Sequence, residues 1–414
     1  MLDAMAISSR SHGQGVPRVL IAGGGVAALE TMLALRRLAG DRLEIDVLAD
    51  EPAFHYRSLA VGEPFGLGTV ETLPLEEFVR AHGAHFRNAR LVAVDPAAKQ
   101  ARMGSGEVLA YDALVVASGA TAERALPGAL TFRGEEDAEA FTALLSDIEE
   151  GTAIRIAFVL PAGANWPVPI YELALMTAAH FDVTKRVRPE ITIVTHESMP
   201  LELFGPKGSQ AAEELLSKRG IRFLPERYPA ELREGRLRFV PDGELVVDRV
   251  VALPRPAGPA LTGLPHNEAG FIPADRHGRV RGVSDVYAAG DVTDFPIKQG
   301  GLAAEQADAV AESIAAWTGA PLKPTPFRPV LRGQLLTGNG PMYLRADLAG
   351  GRGETSQAAY RPLWWPPTKV AGKHLGPALA AAGVGPVAPE PYGLAVAVQI
   401  DLEDSPGLTG VSRG

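Results

Sequence analysis

The sequence predicts an α/β protein made of two doubly wound, Rossmann-like domains and a small C-terminal domain, and three observations carry that prediction. The apolar run Pro17 to Ala22 meets three glycines, Gly23, Gly24 and Gly25, after which Val26, Leu29 and Leu33 recur at helical spacing. A second strand, helix, strand, helix, strand block runs from Ile154 to Leu224. Two further apolar runs, Tyr111 to Ala120 and Asp285 to Asp291, each end in a small-residue turn.

Taken in order, residues 17–22 read as a strand, 23–25 as a tight turn and the following stretch as a helix. The run Leu43 to Leu48 stops at Asp50 and Glu51, which suits a parallel strand ending at a binding edge. Ala138, Phe141, Leu145 and Ile148 mark one helix face before Gly151. The second block has strands at 154–160, 191–197 and 221–224, with helices around Ile170–Phe181 and Ser209–Lys218. Strands at 243–254 and 285–291 follow, then a helix from Gly301 to Trp317 with Leu302, Val310, Ile314 and Trp317 on one side. The expected division is a discontinuous first domain (16–123 and 270–318), a second domain (124–269) and a separate C-terminal domain (319–414). Asp3 interrupts the apolar part of the first fifteen residues, so they read as a loose arm and not as a secretory signal.

Composition narrows the function. With 40 Lys+Arg against 49 Asp+Glu the net charge is -9, and without a basic block no nucleic-acid partner is expected. Cysteine is absent, which excludes disulfides, thiolate nucleophiles, iron–sulfur clusters and C-x-x-C redox pairs, so redox chemistry has to come from a cofactor. The histidines show no H-x-x-x-H spacing, and His82 and His85 lack a second ligand cluster, so no metal is expected. No run of about 18 apolar residues occurs, so the expected location is cytoplasmic. Peripheral contact at the inner face of the membrane and a homo-oligomer stay open.

Gly23, Gly25 and Ala28 fit G-x-G-x-x-A. Glycine is needed there for the turn and because a Cβ would keep a pyrophosphate from the N–H groups at the helix start. Asp50 is the ribose-binding candidate, with Glu51 in reserve.

With the segments ending in Ala117-Ser118-Gly119 and Gly290-Asp291, this turn resembles the FAD-dependent pyridine nucleotide-disulfide oxidoreductase superfamily, over about residues 17–380. The resemblance implies FAD. Gly23, Gly24, Gly25 and Ala28 would hold its pyrophosphate, Ser118 and Gly119 would pass by it, and Gly290 would place Asp291 on the ribityl chain. Residues 291–315 are similar to the branch of sulfide:quinone oxidoreductases and type II NADH dehydrogenases. There the helix start at Gly301 and Lys298 would favour negative charge on the flavin pyrimidine ring. Glu305 and Gln306 would stand toward a quinone, and His55, in the segment laid across the flavin, would donate a proton. Each has a plainer alternative: a solvated lysine, a helix-surface amide, a loop histidine beside Phe54.

The second turn, Leu160 to Glu172, has only Gly163 and carries Pro161, Pro167 and Pro169, which cannot donate N–H groups to a phosphate. Glu172, at the extended fingerprint position, and Glu197, at the next strand end, keep a nicotinamide reading open. The loop is similar to the Pro-rich, Cys-bearing loop of sulfide:quinone oxidoreductases and flavocytochrome c sulfide dehydrogenases, but without cysteine a different substrate is expected. Trp364 and Trp365 are candidates to wall a flavin or quinone slot, with core packing at a domain seam as the plainer alternative. Lys369, Lys373 and His374 lie on a stretch that could touch anionic lipid but is too short and too weakly basic for an anchor. The expectation is an FAD-dependent oxidoreductase passing electrons to a quinone or another small-molecule acceptor, its donor unknown. The alternatives are an NAD(P)H:quinone reductase and a non-catalytic flavin-binding interaction or sensing module.

Overall fold

The computed structural model describes residues 15–184, 187–348 and 355–385. The N-terminal arm up to residue 14 lies outside them, as do residues 386–414.

The first sheet is built from β1 (Arg18–Ala22), β2 (Glu44–Ala49), β3 (His85–Asn88), β4 (Ala113–Val116) and a late strand, Val286–Ala288. All run parallel, in the order β3-β2-β1-β4 with the late strand outermost. Val19, Leu20 and Ile21 are wholly buried, as a parallel strand covered on both faces requires. Helix α1 (Val26–Ala39) leads from β1 to β2 and packs on the late helix Gly300–Trp317. Alanines at 27, 28 and 34 of the one and 303, 307 and 311 of the other line this core and let the two backbones approach closely.

The second sheet contains β5 (Arg155–Val159), β6 (Glu190–Val194), β7 (Arg222–Leu224) and β8 (Arg249–Ala252), parallel in the order β8-β5-β6-β7, with Leu130–Thr131 at the edge beside β8. Between these strands run α2 (Ala138–Glu149, ahead of β5), α3 (Val168–Thr184) and α4 (Gly205–Arg219). The late strand is β9 (Val286–Ala288) and the late helix α5 (Gly300–Trp317).

The C-terminal region forms an antiparallel sheet of β10 (Val330–Leu336), β11 (Pro341–Asp347) and β12 (Thr355–Ala359). It is not separate, contrary to the expectation. Leu331, Leu335, Met342 and Leu344 share one core with Tyr171 of α3 and with Phe204, because three short strands cannot bury a core of their own. The chain then returns to the first unit as a strap over residues 364–385, which includes α6 (Leu375–Ala381). Val370 N donates to Tyr56 Oη at 3.2 Å, and Gly385 N to Glu71 Oε2. Among the described residues no helix is long and apolar enough to cross a membrane.

Candidate functional site

The three small-residue turns meet at the carboxyl ends of β1, β4 and β9, where the strand order reverses and open α/β sheets bind ligands. A Cβ on Gly23, whose φ is +146°, would lie 2.1 Å from Ala117 O, so the first turn and the 117–119 segment touch backbone to backbone. Gly290, at φ +81°, fits between the two helices, where a Cβ would meet Ala27 Cβ at 2.9 Å and Ala303 Cβ at 3.5 Å. Gly24 is closed in by Leu75 and Ala49, whereas a Cβ on Gly25 would meet nothing within 4 Å. Ala28 is fully buried, Ser118 is exposed, and Gly119 is half-buried at φ +74°.

This arrangement fits a dinucleotide. Gly25 is the N-cap of α1, with no side-chain cap and no acid in the first turn, so the N–H groups and positive dipole end face the space beside Gly25. Asp50 stands exposed at the end of β2, its nearest cation the Arg90 Nε at 3.9 Å, while Glu51 is paired with Arg57 at 3.1 Å. Asp50 is therefore the freer of the two acids. Asp291 is recessed beside Lys298; burial pushes its carboxyl above the ordinary range and Lys298 opposes that shift.

The residues expected to do chemistry are held differently from the sequence reading. Gln306 is buried, and its Oε1 accepts from Gly290 N at 2.7 Å. It positions the Gly290-Asp291 turn and is not a surface amide facing an acceptor. Glu305 accepts from Arg332 and from Val330 N, tying α5 to β10. Lys298 donates to Thr293 O at 2.5 Å and Phe295 O at 2.8 Å, with Nζ 3.8 Å from the Phe271 ring centroid. It is thus no freely solvated lysine, and burial lowers its pKa to about 8 against the pull of Asp291 and Asp294. Gln299 Oε1 caps Leu302 N at 2.8 Å, so the donors at the α5 start are those of Gly300 and Gly301. His55 is half-buried, its Nδ1 3.7 Å from Glu135 Oε2.

In the second unit, both acids that kept nicotinamide open are internal. Glu172, on α3, is 1% exposed; it pairs with Lys369 Nζ at 2.7 Å and accepts from Leu336 N at 2.8 Å. Lys369 is therefore buried, His374 is also largely buried, and neither is available to lipid. Glu197 accepts from Tyr171 Oη at 2.6 Å and Thr195 Oγ1 at 3.0 Å inside the core and is closed to a ribose. Trp166 packs on Phe204, and Asn165 Nδ2 donates to Pro296 O at 3.2 Å, so the Pro-rich loop is braced against the 291–298 segment. Trp364 packs edge-on against Tyr343 and donates to Thr368 O, while Trp365 is 72% exposed; neither walls a slot by itself. Glu30, a fully buried acid on α1, escaped the sequence reading, although an acid on the apolar face of VAALETMLAL was a signal.

Burial pushes the Glu197 carboxyl up to about 7 from an ordinary 4.5, against the two hydroxyl donors and helped by Glu202. Between those pH values the native state holds a proton that the unfolded chain has released, so stability falls as pH rises, by about 3 kcal/mol over the window. Glu197→Gln should remove that slope. Urea melts from pH 4.5 to 8 check it: the variant gains on the parent above pH 7 and matches it near pH 4.5.

The pyridine nucleotide-disulphide oxidoreductase family model matches residues 17–312. The chain is 28% identical over 345 residues to the demethylphylloquinone reductase NdbB of Synechocystis, covering 76% of this chain and 83% of that protein. It is 24% identical over 307 residues to ferroptosis suppressor protein 1 of Taeniopygia guttata, covering 70% and 77%. In fold it is similar to the sulfide:quinone oxidoreductase of Aquifex aeolicus, with a TM-score of 0.74, 21% identity and coverage of 83% and 86%. A match of that length, over a turn, helix and strand-end set that fits a dinucleotide, assigns the chain: it belongs to the pyridine nucleotide-disulphide oxidoreductase family and is an FAD-dependent oxidoreductase.

Proposed function

We propose that the protein passes electrons through FAD to a quinone-like acceptor, without cysteine chemistry, and that its donor is not a nicotinamide bound in the usual mode. The observation that carries this reading is the Glu172–Lys369 pair: the acid at the extended nicotinamide fingerprint is buried and neutralised by the chain's own strap. The adjoining turn keeps one glycine and brings three prolines, which removes the amides a second pyrophosphate would need. Two of the similar proteins carry a quinone in their names, which supports the acceptor class.

FAD, when bound, supplies the hydride and electron chemistry. The chain's own residues then hold it: the α1 start takes the pyrophosphate, Asp50 the ribose, and Asp291, positioned by Gln306, the ribityl chain. Lys298 and the N–H groups of Gly300 and Gly301 provide positive potential at the α5 start. Val370 leans on that start, where a Cβ on Gly300 would meet its Cγ2 at 3.1 Å. The strap therefore narrows access from solvent there.

A nicotinamide-fed quinone reductase is the second reading, favoured by the second sheet's retention of the first sheet's parallel strand order. The test is an anaerobic titration of the flavin-loaded protein with NADH and then NADPH, followed by flavin absorbance. The expected result is no rapid bleaching; bleaching by either nucleotide selects the second reading. Protein reduced with dithionite should then be reoxidised by a soluble benzoquinone faster than free FAD is. Equal rates would overturn the acceptor assignment and leave the flavin-binding module.

A further inference from the structure

Glu30, Asp308 and His374 come from α1, α5 and the residue before α6, and their ligand-type atoms all lie within 4.8 Å of one another. Glu30 is fully buried, and its two oxygens accept from His374 N at 2.7 Å and Leu375 N at 2.6 Å, which fixes the carboxylate and anchors the strap. The Gly372 backbone is packed so close that a Cβ there would lie 2.8 Å from Glu30 Oε2. Among the described residues Asp308 Oδ1 is buried without a donor of its own, while the Asp308 carboxyl lies beside that of Glu30. The His374 side chain, only 9% exposed, places Nε2 3.6 Å from Asp308 Oδ1.

We infer that these three side chains form a divalent transition-metal site that staples the C-terminal strap to α1 and α5. Two carboxylates and an imidazole are a mixed oxygen and nitrogen donor set suited to Zn²⁺, with water as the fourth ligand. At metal distances of about 2.0–2.2 Å tetrahedral ligand atoms stand about 3.4 Å apart, so the three atoms, which lie within 4.8 Å of one another, would draw together by up to about 1.4 Å as the ion binds. The ion would bridge Asp308 Oδ1 and the imidazole, and its charge would balance the adjacent Glu30 and Asp308 carboxylates. Backbone donors on Glu30 are the outer-shell bonds that orient a metal-ligating carboxylate. The charged groups facing the cluster are Lys373 and Arg37, with Glu312 on the acidic side. The site lies on the helix pair behind the dinucleotide turn, and the inference does not depend on which donor or acceptor the flavin serves.

The experiment uses the flavin-loaded protein, stripped with a chelator and titrated with ZnCl₂ by calorimetry, with thermal melts alongside. The expected result is one equivalent bound per chain at micromolar or tighter Kd and a Tm raised by several degrees. Asp308→Asn, which keeps the side chain's shape, and His374→Gln should each weaken binding at least tenfold, with the flavin spectrum unchanged. Absence of a one-equivalent transition overturns the site. So does binding that survives both variants, which would place the ion on an exposed histidine such as His85.

Discussion

Glu172→Gln is expected to cost about 3–5 kcal/mol of stability, because it strands the Lys369 ammonium in the interior without its counter-charge. Lys369 is 8% exposed and Glu172 1%, so neither charge can turn to water. The glutamine keeps an oxygen for Leu336 N, and Lys369 keeps its bond to Ser58 O at 3.0 Å, so the variant isolates the missing charge. Burial already pushes the Glu172 carboxyl above its ordinary range, with Lys369 as the main opposing influence. The pair is therefore a balance of desolvation against attraction. Lys369→Met should cost a similar amount, and Glu172→Gln with Lys369→Met together should cost less than either alone. A urea-melt double-mutant cycle measures the coupling. Were Glu172 instead a free nicotinamide ligand, Glu172→Gln would raise the KM for NADH and leave the melt where it is.

Gly25→Ala and Gly23→Ala should fail in different ways. At Gly25 φ is -91°, an ordinary value for alanine, and the added Cβ meets no protein atom within 4 Å. The cost to the apoprotein is that of a poorer N-cap, about 1 kcal/mol or less. The methyl group would stand where a pyrophosphate must approach the α1 N–H groups, so FAD affinity should fall at least ~100-fold, about 2.7 kcal/mol. At Gly23 the Cβ would drive into Ala117 O at 2.1 Å with φ at +146°, so the sheet itself must give way. The expected outcome is a folded, colourless Gly25→Ala protein and a Gly23→Ala protein that melts early or does not accumulate. Flavin content at 450 nm beside apoprotein melts separates the two. A yellow Gly25→Ala protein would remove the first turn from the pyrophosphate site.

Much of this was legible in the chain itself. The first turn and the apolar parallel strands were readable because each is written in consecutive residues: small residues where a Cβ would collide, apolar runs where both faces are covered. The edge strand His85–Asn88 was missed because it is polar and largely exposed, and the run 243–254 is two strands, Glu244–Val246 and Arg249–Ala252. The helices of the second unit extend beyond the bounds read for them, to Val168–Thr184 and Gly205–Arg219. The damaged second turn was equally plain, since prolines remove donors whatever surrounds them. Misreadings arose where a polar side chain had two destinations. Gln306 lies one helical turn into α5, and only the approach of Gly290 N decides that its oxygen faces inward. Glu197 ends a strand like a ribose acceptor, yet Tyr171 folds back over it. The C-terminal strands looked like a unit of their own because a sequence does not say against which helices a small sheet will bury itself.

By itself the sequence determined the glycine-rich first turn, the absence of cysteine and a second turn without the glycine fingerprint, all properties of local backbone geometry or of composition. Only the tertiary structure decided where the buried charges go. Glu172 finds Lys369 across 197 residues, and Glu30, Asp308 and His374 meet from three distant segments. The reason is physical: a turn's conformation is set by a few neighbouring dihedrals, whereas the partner of a buried charge is set by which elements pack together, and that follows from the whole core.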